Sequence, residues 1–346
     1  MLSAIRSAEK SIYMEMYLFH DDTRGFDFLS ELEASSRRGL RVILVMDILG
    51  SRDLSKDTVM RLRAAGVEVL YYSFFLRRTH RKILIVDEKI AFIGGVNIKG
   101  TFHSWKDLQI RVTGPVVRSI IRSYSRVYRE CGGKDILLRN IVQRKVFQNS
   151  EPEKIELKLP AMTRAKLWFV EKGVGRRQYQ LRKYYKERIE SAKKSITFVT
   201  PYLFPPRWLI ASLHKAILRG VAVEILLPND TDHVYANWLN QSYVPFFTGL
   251  GARCYYSHGE MNHAKALLID GREGMIGSPN LDLISFDWNI EAGVFFKEGD
   301  MVRDLTKIIT GWRSDSILFD QSKRKFRWYD IVLAFLLRLF GFLPLW

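Results

Sequence analysis

Residues Thr79 to Asn97 read THRKILIVDEKIAFIGGVN, and residues Asn262 to Asn280 read NHAKALLIDGREGMIGSPN. Both follow one pattern, H-x-K-x4-D-x6-G-[GS]-x-N. The first cassette supplies His80, Lys82, Asp87, Gly94, Gly95 and Asn97; the second supplies His263, Lys265, Asp270, Gly277, Ser278 and Asn280. The flanking sequence repeats with them. SAEKSIYMEMYLF, from Ser7, returns as SAKKSITFVTPYLF from Ser191, 184 residues later. RRGLRVILVMD (Arg37 to Asp47) returns as LRGVAVEILLPND (Leu218 to Asp230), with Gly220 181 residues after Gly39, and the two histidines lie 183 apart. Three blocks in one order at nearly one offset make the chain two copies of one module.

Each copy reads as strand, helix, strand and hairpin. Ile12–Phe19 is an apolar run suited to a buried strand, and Phe26–Arg38 has helical spacing ending at Gly39. Val42–Met46 is strand-like, and Ile83–Val86 with Ile90–Ile93 forms a short hairpin across Asp87-Glu88-Lys89. Strands alternating with helices predict an α/β fold: two tandem modules related by a pseudo-twofold, each a mostly buried mixed sheet flanked by helices. Module one covers residues 1–138 and module two 185–320. Between them, 139–184 is a charge-rich connector with Pro152 and Pro160, its end from Tyr179 to about Lys193 turning helical; 321–346 is a separate tail.

The 346 residues are 47% hydrophobic and 26% charged, which excludes disordered, collagen-like and low-complexity classes. Two cysteines, Cys131 and Cys254, are too few for a disulfide framework or a cysteine zinc site. A net charge of +17 favours a polyanionic partner: nucleic acid, an anionic membrane or a phosphorylated substrate. Glu9, Lys10 and Glu15 interrupt any apolar core of a signal peptide. The tail runs from a basic, aromatic cluster (Lys323 to Tyr329) into Ile331–Trp346, where Arg338 is the only charge. As a helix those last residues would reach about 24 Å, short of the roughly 30 Å hydrocarbon core, so they suit an interfacial or re-entrant anchor on an anionic leaflet.

On an extended strand, residues i and i+2 share a face, so His and Lys of each cassette project together while Arg81 and Ala264 point away. An acidic residue follows each cassette, Asp107 and Glu291. Such a set serves phosphodiester chemistry. One neutral histidine attacks phosphorus, a second protonates the leaving alcohol, and lysine ammoniums with asparagine amides stabilise the equatorial oxygens. One module holds half of this set, so two modules facing each other would build one site. The cassettes lack the His/Cys density of a metal centre, and no metal or other cofactor is expected.

Both cassettes resemble the double H-x-K-x4-D motif of the phospholipase D superfamily. The first cassette, PYLFPPRWL (Pro201 to Leu209), the RRG and LRG turns and GSPNLDLISF are similar to bacterial cardiolipin synthases of the short type, without N-terminal transmembrane helices. The resemblance implies two phospholipase D-like domains sharing one site. It implies metal-independent phosphatidyl transfer through a phospho-histidine, making cardiolipin from phosphatidylglycerol and a second phospholipid. His80 would be the nucleophile and His263 the general acid. Lys82, Lys265, Asn97 and Asn280 would hold the phosphate, with Ser278 in support, and Asp107 and Glu291 would orient the histidines. Asp87 and Asp270 complete the catalytic motif, although their place at strand ends suggests a structural role. The partners implied are phospholipids and an anionic membrane surface, not nucleic acid, at the cytoplasmic face of a bacterial inner membrane with peripheral or monotopic attachment. Relatives carry an extra segment before the first helix, which leaves the edge of the first sheet open. Hydrolysis by a phospholipase D and cleavage of nucleic acid share the same cassettes and are the alternatives. His103 borders the site in one reading and a surface loop in the other. Trp238, Tyr243, Phe246 and Phe247 read as core before they read as an acyl-chain entrance.

Overall fold

The computed structural model describes residues 1–22, 27–74, 76–141, 166–173 and 179–323. In the first half, α1 (Leu2–Arg6) leads into β1 (Ser11–Met16), α2 (Phe28–Arg37), β2 (Arg41–Asp47), α3 (Lys56–Ala64) and β3 (Glu68–Tyr72). The hairpin β4 (Lys82–Val86) and β5 (Ile90–Gly94) follows, then β6 (Gln109–Thr113), α4 (Pro115–Glu130) and α5 (Ile136–Ile141). The sheet order is β3-β2-β1-β4-β5-β6, with β1, β2 and β3 parallel and the rest antiparallel.

The second half opens with β7 (Leu167–Lys172) and α6 (Gln180–Ser191), then β8 (Ser195–Val199), β9 (Leu203–Phe204), α7 (Arg207–Leu218), β10 (Ala222–Pro228), α8 (Val234–Gly249) and β11 (Arg253–Ser257). It closes with β12 (Ala266–Ile269), β13 (Glu273–Gly277), β14 (Leu281–Asp282), β15 (Glu291–Lys297), α9 (Asp300–Ser314) and β16 (Ser316–Leu318). Its sheet runs β16-β11-β10-β8-β12-β13-β15-β7. The central six strands repeat the order of the first sheet. Among the described residues, β7 and β16 have no counterparts at the edges of the first sheet.

The central strands β1, β2, β4, β8, β10 and β12 are largely apolar and buried because both faces of each sheet are covered there. Ile12, Met14 and Met16 of β1 pack outward with α1, α2 and α3, while Tyr13 faces the space between the sheets. In β10, Val223, Ile225 and Leu227 pack on the outer helices and Leu226 faces inward. The inner core holds α4, through Ile120 and Tyr124, and α9, through Leu305 and Ile309. Local signals set the helix ends. Asp27 caps α2 by accepting the Ser30 amide at 2.9 Å, and Gly39 and Gly220 end α2 and α7 with φ of +89° and +84°, a conformation that glycine adopts without steric cost.

Two expectations change. The connector is not irregular throughout: Leu167–Lys172 forms β7 and pairs along β15 as an edge strand of the second sheet. Tyr243 and Phe247 of α8 are core, but Trp238 is half-exposed. No described helix is long and apolar enough to cross a membrane. The tail lies outside the described residues from 324 onward, so the expected anchor falls there.

Candidate active site

The C-terminal ends of the parallel strands in both sheets, with the N-terminal ends of β4 and β12, converge on one face. The backbone of each half is laced into the other there. His80 donates its amide to the Ile290 carbonyl at 3.0 Å, and Ile290 donates to Arg78 at 2.8 Å. In the mirrored arrangement His263 donates to Lys106 at 2.7 Å, and Lys106 to Met261 at 2.9 Å. These bridges bring the residue after each cassette against the opposite histidine. His80 Nδ1 lies 2.9 Å from Glu291 Oε1, and His263 Nδ1 lies 2.7 Å from Asp107 Oδ2. The carboxylate that orients each imidazole therefore belongs to the other half. A carboxylate accepts only, so Nδ1 carries the proton in both rings and each Nε2 keeps a lone pair.

Lys82 Nζ donates to its own cassette's His80 carbonyl at 2.6 Å, and Lys265 Nζ to that of His263. Both lysines are buried. Burial pushes Lys82 down to about 7, with Lys265 adding to the drop and Glu291 opposing it; burial likewise pushes Lys265 down to about 8. Burial lowers His80, opposed by Glu291, and with Lys265 brings His263 to about 4 against the pull of Asp107. Burial alone would raise the Glu291 carboxyl, but His80, Lys82 and the Ser278 hydroxyl outweigh it and hold it below its ordinary range. Among the described residues, Asn97 and Asn280 each keep a buried side-chain oxygen without a hydrogen-bond partner, at equivalent positions of the two halves. A buried acceptor left unpaired twice marks room for a ligand group.

Asp87 and Asp270 stand elsewhere. They follow the far ends of β4 and β12, about 16 Å of strand from the lysines at ~3.3 Å per residue. Asp87 accepts the amides of Glu9, Lys10 and Ser11 at 2.7–3.2 Å, and Asp270 those of Lys193, Lys194 and Ser195 over the same range. They tie down the turn that launches the first strand of each module. Grouping them with the reacting residues is corrected on this geometry.

Several side chains at the site carry no motif. Tyr17 meets the His80 ring edge-on at 4.7 Å, with Lys82 Nζ over its face at 4.9 Å. Trp105 lies 5.3 Å from His263, and Tyr202, bound to Asp232 at 2.5 Å, meets the same ring edge-on at 6.3 Å. Thr79, just before His80, donates its amide to Asp47 at 3.0 Å and its hydroxyl to Glu15. Glu15 is bound at 2.6 Å by the fully buried Arg81, which also meets Ser123 and Glu171. Arg81 does point away from the site face, but into this network. Lys172 of β7 donates to the Asn289 carbonyl at 2.7 Å, directly opposite Glu291 in register. A cavity of ≈ 470 Å³ opens beside His263, lined by Asn97, Asp107 and His103 together with apolar groups such as Phe28, Ile98, Phe102 and Trp105. His103 thus borders the cavity. Among the described residues no group of three His, Cys, Asp or Glu is arranged to hold a metal.

A family described as "Cardiolipin synthase, PLD-like domain" matches residues 1–119 and 185–312, the two segments that carry the cassettes. The cardiolipin synthase of Clostridium perfringens (strain 13 / Type A) is 30% identical over 312 residues, covering 85% of this chain and 63% of that protein. The probable cardiolipin synthase YwiE of Bacillus subtilis (strain 168) is 30% identical over 319 residues, covering 87% and 61%. The chain thus spans a little over three-fifths of the length of these relatives. Among solved structures, a phosphatidylserine synthase from Haemophilus influenzae Rd KW20 superposes over 99% of this chain and 90% of that one, with a TM-score of 0.72 at 15% identity, a likeness of fold. Two cassettes on two matched segments, brought to one site by one duplicated fold, place this chain in the cardiolipin synthase family of PLD-like domains.

Proposed function

We propose that the protein is a phosphatidyltransferase that makes cardiolipin from phosphatidylglycerol and a second phospholipid through a phospho-histidine on His80. The observation that carries this reading is the crossed pair of imidazole–carboxylate contacts, His80 with Glu291 and His263 with Asp107. Each fixes a ring with Nε2 free for chemistry, and both stand beside a buried lysine.

In the first half-reaction the His80 Nε2 lone pair attacks phosphorus. The bond from phosphorus to the glycerol oxygen breaks, and His263 gives its Nε2 proton to that oxygen. Lys82, Lys265 and the amides of Asn97 and Asn280 hold the oxygens on which charge builds. Burial and Lys265 lower the His263 pKa to about 4 and so keep the ring neutral near pH 7, where a proton on it needs a compensating anion. A phosphodiester between the two lysines supplies that charge and raises the imidazole again, so the substrate arms its own proton donor. In the second half-reaction neutral His263 takes the proton of an incoming hydroxyl. That oxygen bonds to phosphorus and the P–N bond to His80 breaks. The apolar residues lining the cavity beside His263 suit the chains of a lipid, and the reading includes a bilayer with anionic lipid, at the inner face of a bacterial inner membrane, as the surface on which the enzyme works.

Incubation with radiolabelled phosphatidylglycerol in mixed micelles, resolved by thin-layer chromatography, tests the reading. Cardiolipin with release of glycerol is the expected outcome. Phosphatidic acid as sole product would reassign the enzyme to hydrolysis, and cleavage of DNA without lipid turnover would reject the lipid reading.

A further inference from the structure

The loop after β3 forms a tight turn that shows apolar side chains to solvent. Phe74 and Leu76 are 57% and 54% exposed. The turn is built to hold them there. The Phe74 carbonyl accepts the Arg77 amide at 3.3 Å and Arg78 Nη1 at 3.1 Å, and the Arg77 guanidinium lies 5.8 Å from the Phe74 ring centre. Leu76 sits at φ +61°, a left-handed conformation that costs a residue with a Cβ on the order of 1 kcal/mol and persists where surrounding structure imposes it. Two residues later the backbone enters the ladder that places His80, through the Arg78 carbonyl and Ile290. The turn therefore rises from the mouth of the site.

It does not stand alone. Leu49 after β2, Val234 and Trp238 in the first turns of α8, and Trp288 just ahead of β15 are 45–65% exposed at the same ends of the strands, from both halves. Large apolar groups gathered on one face mark a contact surface. Apolar tips backed by arginines match one kind of partner, an anionic lipid bilayer: the tips suit the acyl boundary, and the guanidiniums suit phosphates. The turn is also joined by backbone to His80, the histidine that a phosphodiester must reach, through Arg78 and Ile290. A second copy seated there would cover that approach.

We propose that Phe74, Leu76, Arg77 and Arg78 form a bilayer-entry hook. Phe74 and Leu76 pass below the headgroups, Arg77 and Arg78 stay at phosphate level, and the pair of histidines is held against the leaflet. This rests on the phospholipid reading above, and the test separates the two. The measurement is co-sedimentation with vesicles of equal parts phosphatidylglycerol and phosphatidylcholine, beside turnover of short-chain phosphatidylglycerol dispersed below its micelle concentration. The double variant Phe74→Ser/Leu76→Asn, in which asparagine tolerates the left-handed backbone, should lose at least about tenfold in vesicle affinity, since each apolar side chain withdrawn from water is worth that much. Its thermal melting and its turnover of the dispersed substrate should match those of the parent. Leu76→Met, which stays apolar, should bind like the parent. Unchanged vesicle binding in the double variant, or loss in Leu76→Met equal to the double variant's, would overturn the hook. So would a lipid-free dimer of the parent that the double variant dissolves, which would make this face a contact between copies. If the parent binds vesicles through the hook but turns over no phospholipid in either form, the function fails and the hook stands.

Discussion

Gly95 and Ser278 hold the same place in the two cassettes, and the difference between them follows the difference between Asp107 and Glu291. Glu291 is longer and fully buried, and the Ser278 hydroxyl fills its second oxygen. Asp107 is shorter, is held by the Leu108 amide at 2.7 Å, and comes so close that a Cβ on Gly95 would stand 2.2 Å from Oδ1. Gly95→Ala should therefore push Asp107 off His263. The expected fall in kcat is about 10–100-fold, a part of the 10²–10⁴ that general acid–base catalysis contributes, with little change in KM. A variant of parental kcat would show that Asp107 does not need this position. The lysines give a second test at this scale. Lys82 loses its proton near 7 and Lys265 near 8, so the charge proposed to hold phosphate disappears as pH rises through that window. Because kcat/KM reports the free enzyme, its alkaline limb should fall in that range. In the complex the phosphate's negative charge raises both lysines, so the limb of kcat should lie higher. A kcat/KM profile that holds up to the ordinary lysine value of 10.5 would contradict the burial argument.

At the scale of elements, the H-x-K spacing was legible because a strand turns residues two apart to one face, a rule that needs no knowledge of the partner. The crossed assignment of Asp107 to His263 and Glu291 to His80 was not. It depends on how the halves dock, and within each copy the acidic residue stands nearest in sequence to the wrong histidine. The strand β7 was hidden for another reason. Lys166, Glu171 and Lys172 make the segment read as a solvated connector, yet Glu171 and Lys172 are buried, one against Arg81 and Arg126 of the first half, the other against Asn289 beside the site. Charged residues that pair in an interface look like surface in the sequence. The cassette aspartates illustrate the opposite case, where a motif position is structural. Asp87→Ala removes the acceptor of three amides that set the start of β1. It should lower stability by about 1–3 kcal/mol, seen as a reduced Tm, while kcat below the melting range stays near that of the parent. A loss of kcat with unchanged Tm would return Asp87 to the chemistry.

Over the whole molecule the two halves share a topology but not a chemistry of support. Glu15 and Arg81 of the first half stand where the second half has Val199 and Ala264, and Asp47 stands where it has Pro228. Thr79, ahead of His80, is gripped by Asp47 and Glu15. Among the described residues, Asn262, ahead of His263, has the Ala264 amide alone as a partner for its side-chain oxygen and leaves Nδ2 unpaired. The histidine on the clamped strand suits the covalent step, which needs an attacking nitrogen fixed in line. The other suits proton transfer, which tolerates small movement of the ring. His80→Ala should abolish every covalent phosphatidyl-enzyme. His263→Ala removes only the proton donor, so a substrate with a good leaving group should still transfer its phosphatidyl group to His80, and the adduct should persist without a base to activate the incoming alcohol. Acid-labile, base-stable radiolabel located by peptide mapping after quenching distinguishes these outcomes. Label on His263 in the His80→Ala protein would reverse the roles. No label in any variant, with full turnover by the parent, would mean that the incoming alcohol displaces the leaving group directly, with the clamped strand then serving only to hold the ring.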